Sequence, residues 1–274
     1  MNYREPLSQM AIAISISESD DLAVLGLAEE HLRDAMTEIS RHMLAMGARL
    51  FYGGDLRDNG YTKLLFELVA RHQRDADVGD VRPAIANYLP WPVHSMKSRE
   101  YLSELREDLE GVGELYCLDK EGRPVADDAE VGPSPADFSD EDWASSLTAM
   151  RRVQTGAINA RIVLGGRVTN FKGRMPGIAE ETEFALKANQ PLYLLGGFGG
   201  CARDIASDMG LLPELGSSAD WPGRTMFSSW SAGDLANGLE FDEVQTLART
   251  VHVDQAVALI LRGMLRLNRQ AGHD

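Results

Sequence analysis

Residues 160–200 read ARIVLGGRVTNFKGRMPGIAEETEFALKANQPLYLLGGFGG. A short apolar run, residues 160–164, stops at Gly165-Gly166. A polar segment follows, then a predicted helix over residues 176–188, with Pro176 near its first turn, where a missing N–H does no harm. A second apolar run, residues 191–195, stops at Gly196-Gly197, and another helix is predicted after Gly200, to about residue 209. This is strand, helix, strand, helix. Short strands apolar on both faces predict a parallel sheet with helices on both sides.

Toward the N-terminus the same alternation recurs. Residues 10–16 (MAIAISI) read as a buried strand and residues 17–21 as a polar turn. Leu25, Leu32, Met36, Ile39, Met43 and Met46 form one helical stripe, which predicts a helix over residues 22–46 with Gly47 as its stop. Residues 48–52 make a strand that runs into Gly53-Gly54, and Thr62 or Asn59 is expected to cap the next helix. Strands are predicted at 84–89, before Pro90 and Pro92, and at 114–118, with a helix over 98–109 between them. Residues 119–142 carry nine acidic residues against two basic ones and read as a solvated acidic insertion. A helix is predicted over 140–157, and the C-terminal part, about 240–269, is mainly helical. The expected fold class is α/β: one domain over residues 1–274, doubly wound, with a mainly parallel sheet and helices on both faces.

The 274 residues are 44% hydrophobic and 25% charged, ordinary globular values. The net charge of −15 disfavours a DNA, RNA or membrane-surface partner, but a local pocket of amides and cations can still hold a small anion. Cys117 and Cys201 have no metal-ligand spacing and read as buried thiols. The six histidines form no metal motif, so no metal or cofactor is expected. The N-terminus lacks signal-peptide character, and the expected compartment is the cytoplasm.

In a doubly wound sheet, ligands bind beyond the carboxyl ends of the strands. Three strands end there in Gly-Gly: Gly53-Gly54, Gly165-Gly166 and Gly196-Gly197. Each pair alone is explained by a tight turn; together they point to a pocket where main-chain amides meet an anion. No G-x-G-x-x-G and no P-loop occurs. Arg167, Lys172 and Arg174 are candidate phosphate partners. Glu180 and Glu181 read either as compensation of a helix dipole or, for whichever faces the ligand, as an acceptor of ribose hydroxyls or a stabiliser of an oxocarbenium-like centre. The further candidate contacts are Asp55, Leu56, Arg57 and Thr62 after the second strand, Gly177 at the helix start, and Phe198 after the last Gly-Gly. Trp91, Trp143, Trp221 and Trp230 read either as packing or as a base-stacking surface.

Five segments carry a family resemblance: AIAISISES, LFYGGDLRDNGYT, VLGGRVTNFKGRMPGIAEETEFAL, PLYLLGGFGG and VDQAVALILRGML. They resemble the SLOG superfamily, Rossmann-like nucleotide-sensing domains related to the LOG phosphoribohydrolases and to DprA. They look closest to the prokaryotic branch found alone or beside TIR and sirtuin-like effectors, and akin to a region of TRP-type channels. The resemblance implies binding of nucleotide derivatives such as ADP-ribose. It carries over to Gly53, Gly54, Asp55, Gly165, Gly166, Arg167, Gly177, Glu181, Gly196 and Gly197. The catalytic LOG motif P-G-G-x-G-T-x-x-E is altered here to Met175-Pro176-Gly177-Ile178-Ala179-Glu180-Glu181.

Three functions compete. The first is a sensor of an ADP-ribose- or NAD-related ligand in defence or stress signalling, with a TIR or other effector partner and a homo-oligomeric state. The second is an N-glycosidase using Glu181 or Glu180 as its catalytic carboxylate. The third is an assembly protein with a vestigial fold.

Overall fold

The computed structural model describes residues 5–8, 10–54, 56–57, 60–75, 83–125, 138–215 and 220–271. Six strands form one sheet: β1 (Ala11–Ser17), β2 (Arg49–Gly53), β3 (Ile85–Leu89), β4 (Gly113–Cys117), β5 (Ala160–Gly165) and β6 (Leu192–Leu195). Their order is β4-β3-β2-β1-β5-β6 and every pairing is parallel. The chain winds outward from β1 to β4, then returns to β1's other side to lay down β5 and β6. The order therefore switches between β1 and β5, which end level with each other, Ser17 opposite Gly165.

Side chains alternate across the sheet, and both faces of its central strands are covered, which explains their mainly apolar sequences. On one face Ile12, Ile14, Ile16, Leu50, Ile162, Leu164 and Tyr193 pack against Leu32, Met36, Ile39 and Met43 of α1 (Glu29–Ala45) and against Ile260 and Met264 of α9 (Val253–Ala271). The predicted Met-rich stripe and the C-terminal helix thus meet across a common core. On the other face Ala13, Phe51, Ala86 and Tyr88 pack under α5 (Asp140–Ala157). Beside them, Val163, Leu192 and Leu194 pack under α6 (Gly177–Lys187), α7 (Gly200–Asp208) and α8 (Phe241–Arg249). The helices α2 (Tyr61–Asp75), α3 (Trp91–Ser95) and α4 (Arg99–Asp108) connect β2, β3 and β4.

The structure corrects several local readings. The helix predicted from residue 22 is two pieces: Leu22–Leu25 is a 3-10 turn ended by Gly26, and α1 begins only at Glu29. Thr62 sits inside the first turn of α2 and is 2% exposed, so it is not the cap; Asn59 lies outside the described residues. Pro90 does end β3, but it also starts α3, with Pro92 early in the first turn, where no amide hydrogen is needed. Pro176 stands one position before α6 rather than within its first turn.

Of the acidic insertion, residues 119–125 close a turn. Asp119 accepts from the Glu121 and Arg123 amides at 3.0 and 2.8 Å. Residues 126–137 lie outside the described residues. Asp140, Glu141 and Asp142 belong to α5, capped by Ser139, where they oppose the positive end of the helix dipole. Among the described residues no helix is long and apolar enough to cross a membrane.

Candidate functional site

The crevice expected at the switch in strand order is present. A cleft of about 720 Å³ opens over the carboxyl ends of β1, β2 and β3, between the loops that follow these strands and β5, and one face of α5 with the start of α6. Parallel strands all end on one side of the sheet, so the loops after them meet there by construction.

The floor is a buried charge network. Arg161, on β5, has no exposed surface. Its Nη1 donates to Ser15 Oγ at 2.7 Å and to Glu181 Oε2 at 2.8 Å, and its Nη2 donates to Gln154 Oε1 at 3.1 Å. Ser15 Oγ in turn donates to Glu181 Oε2. Burial pulls the Arg161 guanidinium below its ordinary range, and Glu181 opposes that. Arg151, on α5, pairs with Glu180 and lies 3.4 Å from Glu181 Oε1, while Thr148 also donates to Glu180. Two arginines and two glutamates thus balance beneath the cleft, as buried charges must. Of the two glutamates, Glu181 lines the cleft and Glu180 is turned toward α5.

Gly177 makes this packing possible. A Cβ there would fall 2.5 Å from Arg151 Nη2, so the bare glycine lets the guanidinium reach the start of α6.

The rim is cationic. Arg57, Lys97, Arg167 and Lys172 line it, and Lys172 lies 4.0 Å above the Trp143 ring. With Arg151, the described lining holds five cations against two carboxylates, Glu18 and Glu181, in a protein of net charge −15. Val93, Met96, Leu147 and Met150 supply an apolar wall.

The sequence candidates separate accordingly. Gly53, Gly54, Leu56, Arg57, Arg167, Lys172, Gly177 and Glu181 share the cleft. Thr62 lies behind it, packed against Gly54 and lining a smaller cavity between α2 and α4. Arg174 reaches outward to Glu141 at 2.8 Å, outside the cleft lining. Gly165 and Gly166 sit beneath the rim with φ of 65° and 109°, and Gly166 O accepts from the Cys201 amide at 2.8 Å. Gly196 and Gly197 are at the same end of the sheet but are sealed by α7 and α8: a Cβ on Gly197 would lie 2.7 Å from the Arg249 carbonyl. Phe198 beside them has no exposed surface. The third Gly-Gly pair is therefore a packing turn and not part of the cleft. Asp55 lies outside the described residues.

Ser15, Arg151, Arg161 and Tyr61 are cleft or floor residues that sequence reasoning missed. Arg161 carried a signal: a charge inside an apolar strand requires a buried partner. Among the described residues no group of three His, Cys, Asp or Glu is placed to hold a metal ion. Both cysteines are buried and are not joined in a disulfide; Cys117 Sγ accepts from Arg106 Nη2 at 3.4 Å, and burial pushes the Cys201 thiol well up.

A family model described as SLOG cluster2 matches residues 6–252, which contain all six strands and every cleft residue described above. The chain belongs to the SLOG superfamily. No curated protein matches it. The altered SLOG motif has a structural meaning. Ile178, which follows Gly177 in this segment, has its side chain buried against Gly166. Glu180 and Glu181 are both tied to arginines. Residues 177–187 thus start a regular helix over a buried ion network.

Proposed function

We propose that this SLOG cleft binds a nucleotide-derived anion of the ADP-ribose or NAD class, and that binding serves as a signal. The observation that carries the reading is the excess of cations along one cleft of an otherwise strongly acidic protein. A localised positive patch attracts phosphate while the acidic remainder repels polyanions such as nucleic acid. The volume of about 720 Å³ suits a small molecule, and the apolar wall beside Trp143 offers a base a surface. SLOG membership supports a nucleotide-related ligand. In this reading the domain is cytoplasmic, acts as a homo-oligomer, and reports ligand to an effector, such as a TIR protein, in a defence or stress pathway.

Calorimetry with ADP-ribose, cyclic ADP-ribose isomers, NAD and nucleoside monophosphates tests the reading. Wild type is expected to bind at least one of them, and Arg167→Ala to weaken that binding. A flat response from folded wild-type protein across the whole panel rejects it.

One observation favours a second reading, an N-glycosidase. Glu181 is a cleft carboxylate held between Arg161 and Arg151, and an ionised carboxylate can stabilise an oxocarbenium-like centre. Release of free base by wild type and not by Glu181→Gln supports this reading; no turnover over hours rejects it.

A further inference from the structure

The five cleft cations differ in what already holds them. Arg57 and Arg167 lie 3.4 and 3.2 Å from Glu18 Oε1, and Arg151 pairs with Glu180. The ammonium groups of Lys97 and Lys172 have no carboxylate or hydrogen-bond partner among the described residues, and each rests on an aromatic ring. Lys97 Nζ lies 4.9 Å from the centre of the Tyr101 ring, and Lys172 Nζ 4.0 Å from that of Trp143. Such a face attracts a cation and leaves its charge unneutralised. The two rings differ in place. Trp143 lines the cleft, backed by Phe138 at 6.5 Å between ring centres. Tyr101 is outside the cleft lining and faces the smaller cavity between α2 and α4. Lys172 therefore covers a flat aromatic face inside the cleft, and Lys97 does not.

We propose that Lys172 couples two parts of one ligand: it leaves the Trp143 ring for the phosphate, and the indole face it uncovers receives the base. This rests on the reading of the cleft as a nucleotide site. An exposed cation–π contact is weaker than a charge-assisted hydrogen bond to a phosphate oxygen, so a phosphate draws the ammonium off the ring. A base and an ammonium cannot share one indole face, so a nucleoside without phosphate has to displace Lys172 with nothing to receive it. A ligand of the ADP-ribose or NAD class carries both parts, a diphosphate and an adenine. The cleft thereby selects a phosphate joined to a base over either part alone. Lys97, whose ring lies elsewhere, adds charge without this coupling.

The test is calorimetry with adenosine, which has no phosphate, and inorganic pyrophosphate, which has no base, at one fixed salt concentration. Lys172→Ala is expected to bind adenosine about two- to fivefold more tightly than wild type, the scale of the exposed cation–π contact it removes, and pyrophosphate more weakly. Adding Trp143→Leu is expected to erase the adenosine gain. Saturating pyrophosphate is expected to raise the adenosine affinity of wild type by a similar factor, and not that of Lys172→Ala. Lys97→Ala is expected to weaken pyrophosphate binding with no gain for adenosine. Melting temperatures confirm the fold of each variant. Equal, weaker or absent adenosine binding by folded Lys172→Ala overturns the proposal, as does a gain that survives loss of the indole, an equal gain in Lys97→Ala, or no effect of pyrophosphate on wild type. The two readings fail separately. If wild type binds ADP-ribose or NAD while Lys172→Ala gains nothing for adenosine, only the role of Lys172 falls. If adenosine and pyrophosphate behave as expected while no nucleotide binds, the coupling through Lys172 stands and the ADP-ribose or NAD reading falls.

Discussion

Arg161 Nη1 donates to Glu181 Oε2 at 2.8 Å, and Arg161 is wholly enclosed between the central strands and the helices above them. A charge so placed tolerates no loss of its partner, and the reverse holds for Glu181. Arg161→Leu is expected to destabilise the protein by about 3 kcal/mol, the range for breaking a buried ion pair. Adding Glu181→Leu is expected to restore part of that loss, because the orphaned carboxylate is then gone. Urea midpoints of the two single variants and the double variant measure this. Additive losses would show that the pair is not coupled.

Gly177→Ala is expected to push the Arg151 guanidinium off α6, since a Cβ would fall 2.5 Å from its Nη2. The expected stability cost is about 1–2 kcal/mol, typical of overpacking, accompanied by weakened nucleotide binding. Gly156→Ala is the control: nothing lies within 4 Å of a Cβ there, so binding stays unchanged and the helix gains slightly. Equal effects of the two substitutions on affinity would refute the role given to Gly177.

Gly197→Ala separates packing from binding. A Cβ there meets the carbonyls of Thr250 and Arg249, backbone atoms that cannot swing aside. A loss of about 2 kcal/mol is expected, which at roughly 2–4 °C per kcal/mol lowers the melting temperature by several degrees. Ligand affinity of the folded protein is expected to hold. A stable variant with impaired binding would return this turn to the site.

Acid sensitivity is expected from His94. Burial is the main cause that holds its imidazole below the ordinary value of 6.5, with Arg106 adding to it, while the bond to the Leu118 carbonyl opposes them. The folded protein therefore binds fewer protons there than the unfolded chain. This contribution to stability is fully present above about pH 6.5 and is lost as pH falls through the lower folded value. Melting temperatures measured downward from pH 7.5 are expected to decline below about 6.5, and His94→Gln to flatten that part of the curve. An unchanged slope in the variant would show that another group is responsible.

Much of the fold was legible because strands covered on both faces are apolar along most of their length, as β6 is and as β1 and β5 are apart from Ser15, Ser17 and Arg161. The bounds of α5 were legible because Ser139 and Asp142 form a local cap that needs no tertiary partner. The break at Gly26 was not: the stripe of apolar residues continues through it, Leu22 and Leu32 share one core, and only the backbone turn at Gly26, with φ of 72°, puts them in different elements.

The amino-acid sequence alone determined an α/β architecture, the glycine turns and a concentration of charge after the fifth strand, because these follow from local periodicity and backbone freedom. It could not say which turn opens on a cleft. Gly53-Gly54 and Gly196-Gly197 are the same dipeptide at the same end of the sheet, yet one lines the crevice and the other is sealed beneath α8. That difference depends on strand order, which puts β2 beside the central strand β1 and β6 at an edge overlaid by the C-terminal helices. The pairing of Arg161 with Ser15 and Glu181 was decided in the same way, because residues 146 and 20 positions away along the chain become its neighbours only when β5 is laid beside β1.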